Sequence, residues 1–187
     1  MPPEGFQIRD AYESDIPAIT AIYRPEVESG LATWEEVPPP ASEMAARMEK
    51  IRAQGLPYFV AEQDGRVCGY AYAGPYHPRP GYRYTLEDTV YLHPSVQRQG
   101  VGRALLRQVI ARSESLGYRQ MMALIHWTPN SPSIALHERL GFRLVGIAHG
   151  VGYKFDEWRD LATMQRSLGP GSNTYPDPII LAPLSPH

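Results

Sequence analysis

The residues best suited to chemistry in this 187-residue chain lie between Glu87 and Gly117. Gln97-Arg98-Gln99-Gly100-Val101-Gly102-Arg103 sets two glycines one residue apart, with arginines on either side. Glycine has no Cβ, so an anion can come close to the backbone there. A helix that begins at Val101 offers unpaired N–H groups and a partial positive charge at its first turn. Strand, glycine loop and helix N-terminus together make a site for phosphate or pyrophosphate, and Arg98 and Arg103 add cations. Two common phosphate loops are excluded by spelling. Leu105 stands where the dinucleotide fingerprint needs its third glycine, and no Gly-Lys-Ser/Thr follows at P-loop spacing.

Several elements must hold this loop in place. Thr85 to Leu92 is rich in Thr, Val and Tyr, which predicts a strand that Pro94 stops. Apolar residues at 101, 105, 106, 109, 110 and 116 predict a helix closed by Gly117. Upstream, Phe6 to Arg9 reads as a strand. Ser14 or Asp15 can cap a helix with Pro17 in its first turn. An irregular stretch from Ser29 to Pro40 precedes a surface helix over 41–54. Asp64-Gly65 joins strands at 58–62 and 67–74 as a hairpin. Three prolines between 75 and 80 force a loop. A strand over 120–125 should run parallel to 85–92, the usual result of a helical crossover. Asn130-Ser131-Pro132 opens a last helix that Gly141 ends. Strands at 142–148 and 157–168 follow, with Gly146, Gly150 and Gly152 marking the turn between them. The order predicts an α/β class fold: a mixed, mostly antiparallel sheet with helices on both faces. Residues 1–168 are expected as one domain. Residues 169–187, which hold 5 of the 19 prolines, are expected as an irregular tail whose Ile179-Ile180-Leu181 could dock.

Bulk properties narrow the function. A net charge of -2 without a basic block argues against a nucleic-acid partner. No apolar run approaches the ~18 residues of a membrane span. The N-terminal residues lack the basic and apolar regions of a signal peptide. Cys68 is the sole cysteine, so no internal disulfide can form. A soluble cytoplasmic protein is the expectation.

Gln-x-x-Gly-x-Gly at 97–102 resembles the Arg/Gln-x-x-Gly-x-Gly/Ala signature of the GNAT N-acetyltransferases, in which the loop holds the pyrophosphate of acetyl-CoA. The element order is similar over all but the tail. Ala73-Gly74-Pro75-Tyr76, Arg79, Tyr82, Glu87, Thr89-Val90-Tyr91, Gln97-Arg98 and the segment from Asn130 to Phe142 resemble the phosphinothricin and methionine sulfoximine acetyltransferase branch. The resemblance implies direct acetyl transfer from acetyl-CoA to the α-amino group of a small amino acid or analogue, and a homodimer. His126, His137 and His149 have no metal-binding spacing, so no metal is expected. Such transfer needs a base for the ammonium, donors for the oxyanion, and a proton or dipole for the departing thiolate. The resemblance assigns catalysis to Glu87 and His137, with His137 as acid or as a second base that works with Glu87. It assigns the cosubstrate to Val90, Tyr91, Leu92, Gln97, Arg98, Gln99, Gly100, Val101, Gly102, Arg103 and Asn130. It assigns the amine to Trp34, His77, Arg79 and Tyr82, with Arg79 gripping an acidic group. Where the branch has lysine, this chain has His77. Two other readings are an N-terminal peptide or protein acetyltransferase and a non-catalytic acyl-CoA-binding module. The module would not need both Glu87 and His137.

Overall fold

The computed structural model describes residues 2–178. Eleven main elements follow one another: β1 (Phe6–Asp10), α1 (Ile16–Glu28), α2 (Ala41–Arg52), β2 (Tyr58–Gln63), β3 (Arg66–Pro75), β4 (Thr85–Leu92), α3 (Val101–Ser115), β5 (Gln120–His126), α4 (Pro132–Glu138), β6 (Arg143–Lys154) and β7 (Glu157–Ser167). The seven strands form one sheet in the order β1-β2-β3-β4-β5-β7-β6. Every neighbouring pair is antiparallel except β4 and β5, which are joined through the α3 crossover and run parallel as expected.

Each face of the sheet has its own core. Leu105, Leu106, Val109 and Ile110 of α3 bury their stripe against Leu86, Met121 and Met164, and α4 adds Ile134 and Leu136 on that side. Ile16, Ile19, Ile22 and Val27 of α1, with Met44 and Met48 of α2, pack on Tyr58, Val60 and Tyr70 from the opposite side. Alternation along each strand feeds both cores.

Two local expectations change. Asp15 precedes α1 but does not cap it, because its carboxylate accepts from Arg9 at 2.7 and 2.9 Å and from the Tyr12 N–H at 2.8 Å. The β6–β7 turn is made by Phe155 and Asp156, at φ 54° and 58°, and not by the glycines. Gly146 and Gly152 lie inside β6, next to slips of register against β7 that mark bulges. The first residues after β7 are irregular and are tied back to the body. Arg119 donates to the carbonyls of Gly171 and Tyr175 and to the Thr174 hydroxyl. Ile179 to Leu181 lie outside the described residues. Among the described residues no helix is long and apolar enough to cross a membrane.

Candidate active site

The sheet opens in its middle. β4 and β5 pair only at Thr85–Gln120, Leu86–Met121 and Glu87–Met122, and then diverge. The Tyr84 carbonyl accepts from the N–H groups of Arg119 and Gln120, so it faces β5. Backbone groups alternate sides along a strand, so those of Leu86, Asp88, Val90 and Leu92 face the same way. Past Glu87 the backbone edges of Val90 and Leu92 therefore have no strand partner. Tyr91 has the opposite parity. Its backbone faces β3, where it pairs with Tyr70, and its phenol donates to the Ala32 carbonyl at 2.9 Å. Of the three strand residues expected along a cosubstrate arm, two present a free edge and Tyr91 does not.

At the end of β4, the loop of Gln97–Gly100 turns into α3 with Arg98 at φ 61° and Gly100 at φ 85°. Among the described residues, no acceptor meets the N–H groups of residues 98–103. Gln97, Arg98, Gln99 and Arg103 are exposed, and Val101 and Gly102 are buried beneath them. A Cβ on Gly102 would come within 3.2 Å of the Leu92 side chain, so glycine lets the helix start approach the strand. A row of unpaired donors at a positive helix end fits a pyrophosphate. Asn130, at φ 64°, is exposed just before α4. The cap of α4 is Ser131, whose Oγ accepts from the Ile134 N–H at 3.5 Å, so the Asn130 amide is not spent on the helix.

Glu87 and Asp88 point to opposite faces of β4. Glu87 lies on the face with Tyr72 and Thr89. Burial, with help from the neighbouring Asp88 charge, pushes its carboxyl up to about 7. Asp88 points toward α4, where its Oδ2 accepts from His137 Nε2 at 3.0 Å. His137 Nδ1 meets the Ser133 carbonyl at 2.7 Å, and the ring is 2% exposed. Carbonyl and carboxylate oxygens only accept, so both ring nitrogens carry protons in this arrangement. Burial alone would lower the pKa of the imidazole, but the Asp88 hydrogen bond and charge outweigh it and the net shift is upward. Glu87 and His137 therefore lie on opposite faces of the sheet, with the His137 ring nitrogens bonded to Asp88 and Ser133.

On the Glu87 face, a cavity of about 690 Å³ is lined by Tyr23, Tyr58, Tyr70, Tyr72 and Tyr91, with Thr89, Glu35, Arg47 and Lys50. Pro75 and Pro78 of the β3–β4 loop close one side. Sequence reading missed this aromatic wall. Its signal was Tyr at 70 and 72, one face of a strand, and strand register then sets Tyr58 opposite Tyr72 and Tyr70 opposite Tyr91. Arg47, also missed, is held by Glu35 at 2.5 Å and by Glu43.

The four residues expected at the amine lie around this cavity and do not line it. Trp34 packs its ring on Gly152 and stands edge-on to His126 with centroids 6.2 Å apart. His77 and Tyr82 lie 4.9 Å apart by ring centroids, and the Arg79 N–H donates to His77 Nδ1 at 3.3 Å. The guanidinium of Arg79 is exposed and makes no ion pair among the described residues.

Comparison with known proteins shows the family and the fold. The family described as "Acetyltransferase (GNAT) family" matches residues 17–142. A phosphinothricin N-acetyltransferase of Alcaligenes faecalis is 48% identical over 170 residues, covering 91% of this chain and 86% of that one. An L-methionine sulfoximine/L-methionine sulfone acetyltransferase of Pseudomonas paraeruginosa is 40% identical, covering 87% of this chain and 95% of that one. The crystal structure of a phosphinothricin acetyltransferase from Sinorhizobium meliloti in complex with AcCoA superposes with a TM-score of 0.90 at 44% identity, covering 95% of this chain and 98% of that one.

Proposed function

The chain belongs to the GNAT family and is an acetyltransferase, and within that family we propose that its acceptor is the α-amino group of a small zwitterionic amino acid of the phosphinothricin or methionine sulfone type. The observation that carries this reading is Glu87: a half-buried carboxyl, pushed up to about 7, beside an aromatic cavity at the point where β4 and β5 part. A base titrating near neutrality can take the ammonium proton directly or through one water. The free edges of Val90 and Leu92 would bind the amide arm of acetyl-CoA as a strand binds a strand, and donate to the oxyanion. The α3 N-terminus, from Gln97 to Arg103, would hold the pyrophosphate, and Asn130 would bond the arm from the far side. Bound there, acetyl-CoA supplies the activated acetyl thioester. Arg79 would pair its free guanidinium with the substrate's carboxylate or phosphinate. His77, Tyr82 and Trp34 would wall the entrance. His137 acts by locking α4 to β4 through Asp88.

Residues 1–168 would form the catalytic domain, with the segment from 169 onward as an appended tail. A homodimer and a cytoplasmic setting complete the reading. β6 is an edge strand with Leu144, Val145, Val151 and Tyr153 all about half exposed, an apolar surface that a second copy can cover.

The test is thiol release from acetyl-CoA with phosphinothricin, methionine sulfoximine, methionine sulfone, the common amino acids and spermidine. Turnover confined to the zwitterionic analogues and a few amino acids supports the reading. Preference for spermidine, or tight acetyl-CoA binding with no turnover, overturns it.

A further inference from the structure

We propose that Lys154 is a positioning residue for the amine side of the site: it holds the 30–34 loop as a roof over the open end of the β4–β5 gap. The proposal rests on the acetyltransferase reading above. Lys154, the last residue of β6, is 1% exposed. Its Nζ donates to the carbonyls of Glu26 at 3.1 Å, Gly30 at 2.9 Å and Thr33 at 2.9 Å. An ammonium has three protons, and all three are used. Two of these acceptors lie in the loop after α1, and Glu26 lies in the last turn of that helix, where carbonyls lack partners and cations are favoured. Burying a charge costs several kcal/mol unless hydrogen bonds compensate it. A methionine would fill the same space without that cost. What only the ammonium can do is gather three carbonyls, one from the end of α1 and two from the loop after it, around one point.

The loop so gathered touches every strand that borders the gap. Ala32 accepts from Tyr91 near the end of β4. Trp34 stands edge-on to His126, the last residue of β5. The same indole lies where a Cβ on Gly152 of β6 would be, 2.1 Å from a ring carbon. Thr33 bonds the Tyr23 hydroxyl at 2.7 Å, and Tyr23 and Tyr91 both line the aromatic cavity. Lys154 is thus the anchor by which the C-terminal hairpin sets the position of Trp34 and, through Thr33, of one cavity wall.

Two substitutions reach the loop from different sides. Lys154→Met removes the three hydrogen bonds. Gly152→Ala displaces Trp34 and leaves the Nζ bonds in place. With methionine sulfone as the amine, both are expected to raise its KM by about tenfold or more while the KM for acetyl-CoA stays within about threefold. Equal rises in both KM values, or unchanged KM values with only a lower melting temperature, would assign Lys154 to general stability and overturn the proposal. If Lys154→Met does not fold, the KM split in Gly152→Ala decides. A second readout does not depend on the substrate. With Trp127 and Trp158 replaced by phenylalanine, Trp34 is the only indole. Lys154→Met should then increase its quenching by acrylamide, and unchanged quenching overturns the proposal. Wild-type enzyme that ignores methionine sulfone, together with increased quenching, would sink the substrate reading and leave the anchoring role standing.

Discussion

The two faces of the sheet beside the β4–β5 gap are built by different means. On the α3 side, one continuous stretch from β4 to Arg103 makes the whole candidate pyrophosphate site, and it does so with backbone N–H groups. On the other side, the cavity draws on α1, the loop after it, α2, β2, β3 and β4, and it works with side chains. A backbone site tolerates changes of side chain but not of conformation. A side-chain site has the reverse tolerance. Recognition of the thioester and selection of the amine are therefore separable in this molecule.

The sharpest break of that comparison is at the boundary. Glu87→Gln should lower kcat by about 10²–10⁴-fold, the usual contribution of a general base, and abolish the limb near pH 7 in the rate profile. Steady-state kinetics across pH 6–9 would check it, and a surviving limb would move the base elsewhere. His137→Leu comes next. It leaves Asp88 buried without its partner, which should cost about 3–5 kcal/mol of stability by denaturant titration. If kcat collapsed with stability intact, His137 would have to reach the reacting atoms, and the separation of Glu87 from His137 drawn above would fail.

Smaller effects sharpen the contrast itself. Gly100→Ala places a side chain at φ 85°, a strain of about 1–2 kcal/mol, so the KM for acetyl-CoA should rise several-fold while the amine KM holds. Gln97→Ala and Gln99→Ala keep the backbone and should shift the same KM by less than about threefold. Isothermal titration with CoA is an independent check on all three. The smallest effect is a slope in stability. The Glu87 carboxyl titrates near 7 when folded, above its ordinary value of 4.5, so the folded state holds the extra proton between those values. The stabilisation it gives is complete below pH 4.5 and is lost as pH rises through 7. Glu87→Gln should therefore be more stable than wild type above pH 7, by about 1–3 kcal/mol, and the difference should vanish toward pH 4.5.

This contrast also explains what could be read from the chain. The α3 loop was legible because its signal is local: glycines, strand and helix all lie within about thirty residues, and the structure keeps the predicted strand and helix starts at Thr85 and Val101. The Asp64-Gly65 turn was legible for the same reason, and both residues adopt positive φ. The tyrosine wall was not, because Tyr23, Tyr58, Tyr72 and Tyr91 meet only once sheet register brings three strands and a helix together. Lys154 shows the limit most clearly. A lysine before an Asp-containing turn reads as a solvated hairpin residue, and nothing near it in sequence foretells acceptors more than a hundred residues upstream. The glycines of β6 misled for the opposite reason. They suggested a turn, whereas the strand uses them for bulges and for room beneath Trp34.

The short β4–β5 pairing has a mechanical consequence. β1 to β4 form one leaf and β5 to β7 the other, and the spine between them is three residue pairs long. Lys154, reaching from the second leaf to the helix and loop that ride on the first, is a clasp at the fore-edge. Beneath the spine, α3 buries one stripe against Leu86 of the first leaf and Met121 and Met164 of the second, so a shared core also binds the leaves. The molecule is therefore bound like a book, with its spine at Thr85–Glu87 and its clasp at Lys154.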